Sequence, residues 1–362
     1  MRKLRIATFV TSHFTIPGPK GIIYAPLDVA SELCSELARR GHYVDFFAPA
    51  GSRVAGCNMI DLEMPPLNRN FKKLFGTAGE LNESDIQKIY NLWDQYFLSE
   101  IYKRAISGKY DVVHIHPIDR ALPFSRMVAD TPTVYTLHDP IDKWRADFFD
   151  IYRSGNQHLV SISDAQRKGA PGLKYSATIY NGINMKQFRF SKDHDDYLLF
   201  AGRLIDQKGV FEAIQAARLT GSKLYIAGSP PSGEYWDRKI KPNLSAKIKY
   251  LGNIPRKKLA FYYRNAKAVL FPIKWEEPFG LVMAEAMACG TPVIAFGRGS
   301  VPEIVENGVT GFIAGNVKEM AEGIRKLNRI SRAACRARVD DKFSVMKMAD
   351  GYEKLFLKIS KK

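Results

Sequence analysis

Cysteine is scarce in this 362-residue chain: Cys34, Cys57, Cys289 and Cys335 are its only four. They show no C-x-x-C spacing and no histidine cluster stands beside them, so neither a zinc site nor a disulfide framework is indicated, and a reducing, cytoplasmic setting is the simpler reading. Long hydrophobic runs are missing too, since no stretch approaches the roughly 18 apolar residues of a membrane span. The start, MRKLRIATFVTSHF, has the basic head and apolar run of a signal peptide. The run ends after about seven residues with no small-residue cleavage site behind it, so it reads as a first buried strand. The first turn lacks G-x-G-x-x-G, which removes the dinucleotide signature of a dehydrogenase. Low-complexity segments and short solenoid repeats are also lacking.

Acidic residues are outnumbered, 37 against 54 Lys and Arg, for a net charge of +17. Residues 223–274 hold 12 basic and 2 acidic residues, residues 316–362 hold 13 and 6, and residues 1–222 sum to only +4. Such charge suits nucleic acid, an anionic membrane or an anionic small molecule, and a plain solvated surface explains it as well. No RNP-type aromatic pattern or zinc knuckle accompanies it, so nucleic acid is not expected as a partner.

What the chain does have is alternation. Short apolar runs alternate with helical-period segments from end to end, the pattern of parallel sheets covered by helices on both faces. The expected strands of the first half are LRIATFV, YVDFFA, DVVHIH, TVYTL, HLVSIS and ATIY. Between the first two, Val29, Leu33 and Leu37 recur at helical spacing and Gly41 supplies a stop. A second series follows with DYLLFAG, SKLYIAG, IKYLG, AVLFPI and TPVIAF, and the polar stretch IYNGINMKQFRFSKDHDD reads as the linker between them. The length allows two full domains, expected at 1–184 and 185–340. The apolar spacing of SVMKMADGYEKLFLKI predicts a C-terminal helix in 341–362 that packs back on the first domain. Doubly wound sheets bind ligands beyond the carboxyl ends of their strands.

The most informative turn follows AVLFPI, in EEPFGLVMAEAMACG. Gly280 lets backbone approach a ligand, Phe279, Gly280 and Leu281 are candidate contacts for it, and the first-turn amides there have no intrahelical partner. With the helix dipole they favour an anion. Glu277 precedes the helix and Glu285 lies more than one turn inside it, too far apart for a short-range pair. A long ligand with an anionic middle would meet both. A strand ending in Gly-Arg with Lys five residues on, Arg203 and Lys208 in AGRLIDQKG, makes a sensible phosphate clamp. His114 and His116 alternate onto one face of a strand, yet no third ligand completes a metal site.

EEPFGLVMAEAMACGTPVI followed by GSVPEIVENGVTGFI closely resembles the E-x7-E region of the retaining glycosyltransferases of family 4. AGRLIDQKG, IYNGIN, YLGNIPRKKLAFYYRNAKAVLFPI and LARRGHYVDFFAPAGS extend the resemblance over nearly the whole chain. It implies an α/β GT-B fold, two Rossmann-like doubly wound domains facing a central cleft, the first binding acceptor and the second a nucleoside diphosphate sugar. By the same resemblance Arg203 and Lys208 match the residues that hold the donor diphosphate, Glu277 the acid on the donor sugar, and Glu285 the acid on ribose. Ile254 matches the position whose main chain touches the base, and His138 in VYTLHDP the histidine near the sugar and its phosphate. Gly21 matches one glycine of the loop lining phosphate and acceptor, although KGII stands where tandem glycines are common.

The expected activity is metal-independent transfer of a sugar, with retention, to a glycan, lipid-linked or small-molecule acceptor. No cofactor is implied, the nucleoside diphosphate sugar being a co-substrate. A sugar-nucleotide epimerase, a glycosyl phosphorylase and a non-catalytic sugar-nucleotide-binding subunit remain open as alternatives. So does peripheral contact with the inner face of a membrane, motivated by NRNFKKLFG and the charge.

Overall fold

A computed structural model describes residues 2–19, 24–67, 82–229 and 233–360. Gly21 and the NRNFKKLFG segment lie outside the described residues. The chain forms two compact units, one of Met1–Ile162, Gly169–Gly182 and Met348–Lys362, the other of Ser163–Lys168 and Ile183–Lys347.

The first unit is built on strands β1 (Arg5–Phe9), β2 (Tyr43–Phe47), β3 (Asn58–Ile60), β4 (Val112–Ile115), β5 (Thr133–Thr136), β6 (Gln157–Ser161) and β7 (Tyr175–Thr178). They run parallel in the order β3-β2-β1-β4-β5-β6-β7. The interior strands β4 and β5 are buried along their whole length, as strands covered on both faces must be. Helix Ala25–Arg39 turns Leu27, Val29, Ala30, Leu33, Cys34 and Leu37 inward, and helix Glu83–Ile106 starts where Asn82 accepts from the Asp85 amide. Phe97 of the latter stacks on Phe9 of β1 at 5.4 Å.

The second unit repeats the plan with β8 (Leu198–Ala201), β9 (Leu224–Ala227), β10 (Ile248–Gly252), β11 (Ala268–Phe271), β12 (Val293–Phe296) and β13 (Gly311–Ala314), ordered β10-β9-β8-β11-β12-β13. Strand order therefore reverses between β1 and β4 in one sheet and between β8 and β11 in the other. The loops leaving these strands are where such sheets place ligands.

Strands β3 and β13 add to those expected from the pattern. The first is a three-residue edge strand without a buried position. The second opens with Gly311, where a Cβ would stand 1.8 Å from the Val293 carbonyl oxygen, so glycine lets the two strands meet. The polar stretch read as a linker is bound to the second unit: Phe188 is fully buried, and Arg332 and Arg336 donate to the carbonyls of Ser191 and Phe188. Helix Val345–Ile359 joins the first unit from Met348 onward, through Tyr352 on Thr136 and Glu353 on Arg40 and His42.

Candidate functional site

In the second unit, the loops after β8 and β11 are tied together by the Lys274 amide on the Gln207 carbonyl at 2.9 Å and by Lys274 Nζ on Asp206 at 2.8 Å and Glu212 at 2.6 Å. Gly209 makes this possible: its φ is +73°, and a Cβ would stand 1.9 Å from the Pro272 carbonyl oxygen. The result is a compact charged cluster. Lys208 Nζ donates to Glu277 Oε2 at 2.5 Å, Trp275 Nε1 donates to the same oxygen at 2.8 Å, and the ammonium lies 4.8 Å from the centre of the Trp275 ring. Arg203, on the same loop as Lys208, is exposed.

Beyond Glu277 the chain turns at Gly280, φ +76°, into helix Leu281–Ala288, whose start no side chain caps. Its first-turn amides thus remain an anion-favouring end. The Phe279 ring is buried edge-on against Phe343 at 5.8 Å, so only the main chain of that residue can face a ligand. The turn Gly299-Ser300 holds this loop from behind. Ser300 donates through its amide to the Glu277 carbonyl at 2.9 Å and through its hydroxyl to the Phe279 carbonyl at 2.7 Å, while a Cβ on Gly299 would strike the Glu277 carbonyl oxygen at 2.3 Å. Glu285, inside the helix, is buried and accepts from the Arg256 guanidinium at 2.8 and 3.0 Å. Burial first, and the neighbouring Glu285 carboxylate second, push the Tyr263 phenol well above its ordinary value. Ile254 is buried in the turn just ahead of Arg256.

The structure thus gathers Lys208 and Glu277 around the β8 and β11 ends and leaves Arg203 exposed beside them. Trp275, Arg256 and the Gly299-Ser300 clamp escape a reading of the sequence. The only signal for Arg256 was indirect, since an acid in the apolar helix LVMAEAMA needs a cation.

In the first unit, His138 follows β5 and is partly exposed. Its Nε2 lies 2.7 Å from Nδ1 of His116, the rings meeting edge to edge with centres 5.0 Å apart and 15° between planes. His114 and His116 share a face, 4.5 Å between ring centres, and His114 Nε2 meets Thr136 Oγ1 at 2.8 Å. Burial lowers the His138 imidazole to about 4 and, helped by His138, that of His114 to about 3; it holds His116 well below the ordinary range as well. Near the end of β1 a further cluster, not anticipated from the sequence, surrounds the fully buried Asp94. It accepts from the Ser12 amide at 2.8 Å, the Ser12 hydroxyl at 2.5 Å and the Arg120 guanidinium. Burial, then the Arg120 charge, lowers His13 beside it to about 4. Among the described residues no group of three or more His, Cys, Asp or Glu side chains is placed to hold a metal ion. No described helix is long and apolar enough to cross a membrane.

Residues 183–338 match the family described as Glycosyl transferases group 1, and residues 28–187 match Glycosyltransferase Family 4. The chain is 34% identical to an uncharacterized glycosyltransferase of Methanocaldococcus jannaschii, over 61% of this chain and 67% of that protein. It is 31% identical to a glycogen synthase of Mycobacterium tuberculosis, over 52% of this chain and only 49% of that one. Among solved structures, sucrose-phosphate synthase of Thermosynechococcus elongatus superposes with a TM-score of 0.75 at 20% identity, covering 99% of both chains. The Anabaena protein HepE, solved in complex with UDP and glucose, gives 0.69 at 18%, covering 98% of this chain and all of that one. Both are likenesses of fold, two parallel Rossmann-like sheets of the GT-B kind.

Proposed function

The chain belongs to the GT-B glycosyltransferases of family 4, and from that premise we propose that it moves a sugar from a nucleoside diphosphate sugar to an acceptor, with retention at the anomeric carbon and without a metal ion. The observation that carries the proposal is the Lys208–Glu277–Trp275 cluster standing immediately before an uncapped helix start. Arg203, Lys208 and the amides after Phe279, at Gly280 and Leu281, would hold the departing diphosphate, doing by fixed charge and dipole what a divalent cation does elsewhere. Glu277 would accept from the sugar hydroxyls. Its Oε2 is already engaged by Lys208 and Trp275, so it is held in place before a ligand arrives.

In the same proposal Glu285 meets the ribose hydroxyls, the Ile254 main chain meets the base, and His138 is the residue of the first unit that meets the sugar or its phosphate. Glu277 is then a positioning acid rather than a general base, and the leaving phosphate takes the acceptor's proton. Bound UDP in HepE, and bound ADP in starch synthase IV of Arabidopsis thaliana, support a nucleotide donor. The test is a calorimetric panel of UDP-, ADP- and GDP-sugars, followed in EDTA by NMR of any product's anomeric configuration. An inverted product, or full turnover by Glu277→Ala, overturns the mechanism. Conversion of the donor sugar to its epimer without acceptor would replace transfer by epimerisation.

A further inference from the structure

The histidine column of the first unit contains two buried ring nitrogens with no protein partner among the described residues, Nδ1 of His114 and Nε2 of His116. They report where the hydrogens sit. One of the two nitrogens facing each other across 2.7 Å, His116 Nδ1 or His138 Nε2, must carry the hydrogen they share. Were His138 the donor, a neutral His116 would carry its own hydrogen on Nε2, a buried N–H without an acceptor. With His116 as donor, Nε2 is only an unused lone pair. Orphaned buried N–H groups are rarer in folded proteins than under-used acceptors, so the second arrangement wins. The imidazoles are neutral near pH 7, because burial depresses both.

From this geometry we infer that His116 is a positioning residue: its Nδ1–H donates to His138 Nε2 and fixes His138 as the Nδ1–H tautomer, so that His138 offers a ligand a hydrogen-bond donor. His114 takes the opposite form. Its Nε2 faces Thr136 Oγ1, which is itself 2.6 Å from the Tyr352 hydroxyl, and its Nδ1 has no partner among the described residues. The same preference therefore puts the His114 hydrogen on Nε2. The histidines at the end of β4, His114 and His116, are expected in opposite tautomers, with Tyr352 and Phe356 of the C-terminal helix packed against His114. A fixed donor at His138 selects an oxygen acceptor, a hydroxyl or phosphoryl oxygen of the nucleoside diphosphate sugar. That last step rests on the proposed function, whereas the tautomers do not.

The test is a long-range proton–nitrogen correlation spectrum of the nitrogen-15-labelled protein at pH 7, assigned with His116→Asn and His138→Asn. The expected pattern is Nδ1–H for His116 and His138 and Nε2–H for His114. An Nε2–H or doubly protonated His138 overturns the inference. As a second measurement, His116→Leu is expected to weaken UDP-sugar binding roughly 3- to 10-fold, the worth of one neutral hydrogen bond, while His116→Asn, whose amide can donate from nearly the same place, stays within about 2-fold of the wild type. Equal affinity of His116→Leu and wild type also overturns it. Should the wild type bind no UDP-, ADP- or GDP-sugar, the donor reading fails and the tautomer pattern still decides the inference.

Discussion

The carboxyl ends of the two sheets share a strand plan and are equipped differently. In the second unit each acid is bonded to a cation brought from another part of the chain, Glu277 to Lys208 and Glu285 to Arg256. In the first, beside a buried pair of Asp94 with Arg120, three imidazoles are kept neutral by burial, those of His114 and His116 buried and that of His138 partly exposed. Charge held in place by a counter-charge suits recognition of a charged, hydroxyl-rich ligand. Neutral imidazole offers direction without charge. Removing a charged partner in the second unit should therefore cost more than removing a histidine partner in the first.

The sharpest break in that contrast is Arg256→Met. It takes the guanidinium counter-charge away from the Glu285 carboxylate, whose side chain is only 8% exposed. A loss of about 3 kcal/mol is expected, the usual scale for half of a buried pair, read by urea denaturation. Adding Glu285→Gln to Arg256→Met should restore most of it, because the stranded charge is gone. No recovery in the double variant would mean that Arg256 acts by packing on Phe188, 5.4 Å from its guanidinium, and not by charge.

Next in size is Glu277→Gln. The amide keeps the shape and can still accept from Trp275, but it loses the charge that orients Lys208. A drop in turnover of about 100-fold is expected, with the fold intact by circular dichroism. A change confined to KM would place Glu277 in uniform binding instead.

The difference between the two ends was only partly legible in the sequence. The doubly wound plan was, because buried parallel strands read as apolar runs at regular spacing; β3 was not, since three half-exposed edge residues carry no such signal. Glu277 and Glu285 stood out in a recognisable string, yet their partners lie 69 and 29 residues away, and no local periodicity links them. Alternation alone put His114 and His116 on one face. The bond from His116 to His138, 22 residues on, is a product of the parallel register of β4 and β5 and appears only in the fold. The Phe279 ring illustrates the reverse: its position beside the site was readable, its burial against Phe343 was not.

Lowering the pH should act on the first unit through its histidines. An imidazole with an ordinary value of 6.5 that burial lowers to about 4 in His138, or about 3 in His114, takes up protons in the unfolded chain before the folded one as pH falls through that window. Stability is then complete above pH 6.5 and is lost on acidification toward the folded values, by at most about 1.4 kcal/mol per pH unit for each such histidine. Carboxylates add their own loss at the acid end, so the informative quantity is the difference between wild type and His114→Phe. That difference should change steadily between pH 6.5 and 4.5 in urea melts. A constant difference would show that His114 titrates alike in both states.

The smallest effect is expected where the second unit has a charge pair without burial. Arg298 and Glu276 lie 3.5 Å apart with side chains 60% and 68% exposed, so water screens them and two long side chains lose freedom to meet. Arg298→Ala should change stability by no more than about 0.5 kcal/mol, and less in 1 M salt, where the screening length is about 3 Å. The Gly299 amide still donates to Glu276 in that variant, since the bond comes from the backbone. The Glu277 loop should therefore hold its shape, and turnover should remain near that of the wild type. A large loss of turnover with stability unchanged would reassign Arg298 from the surface to the charged cluster, and with it the claim that burial, rather than pairing alone, separates the acids of this unit.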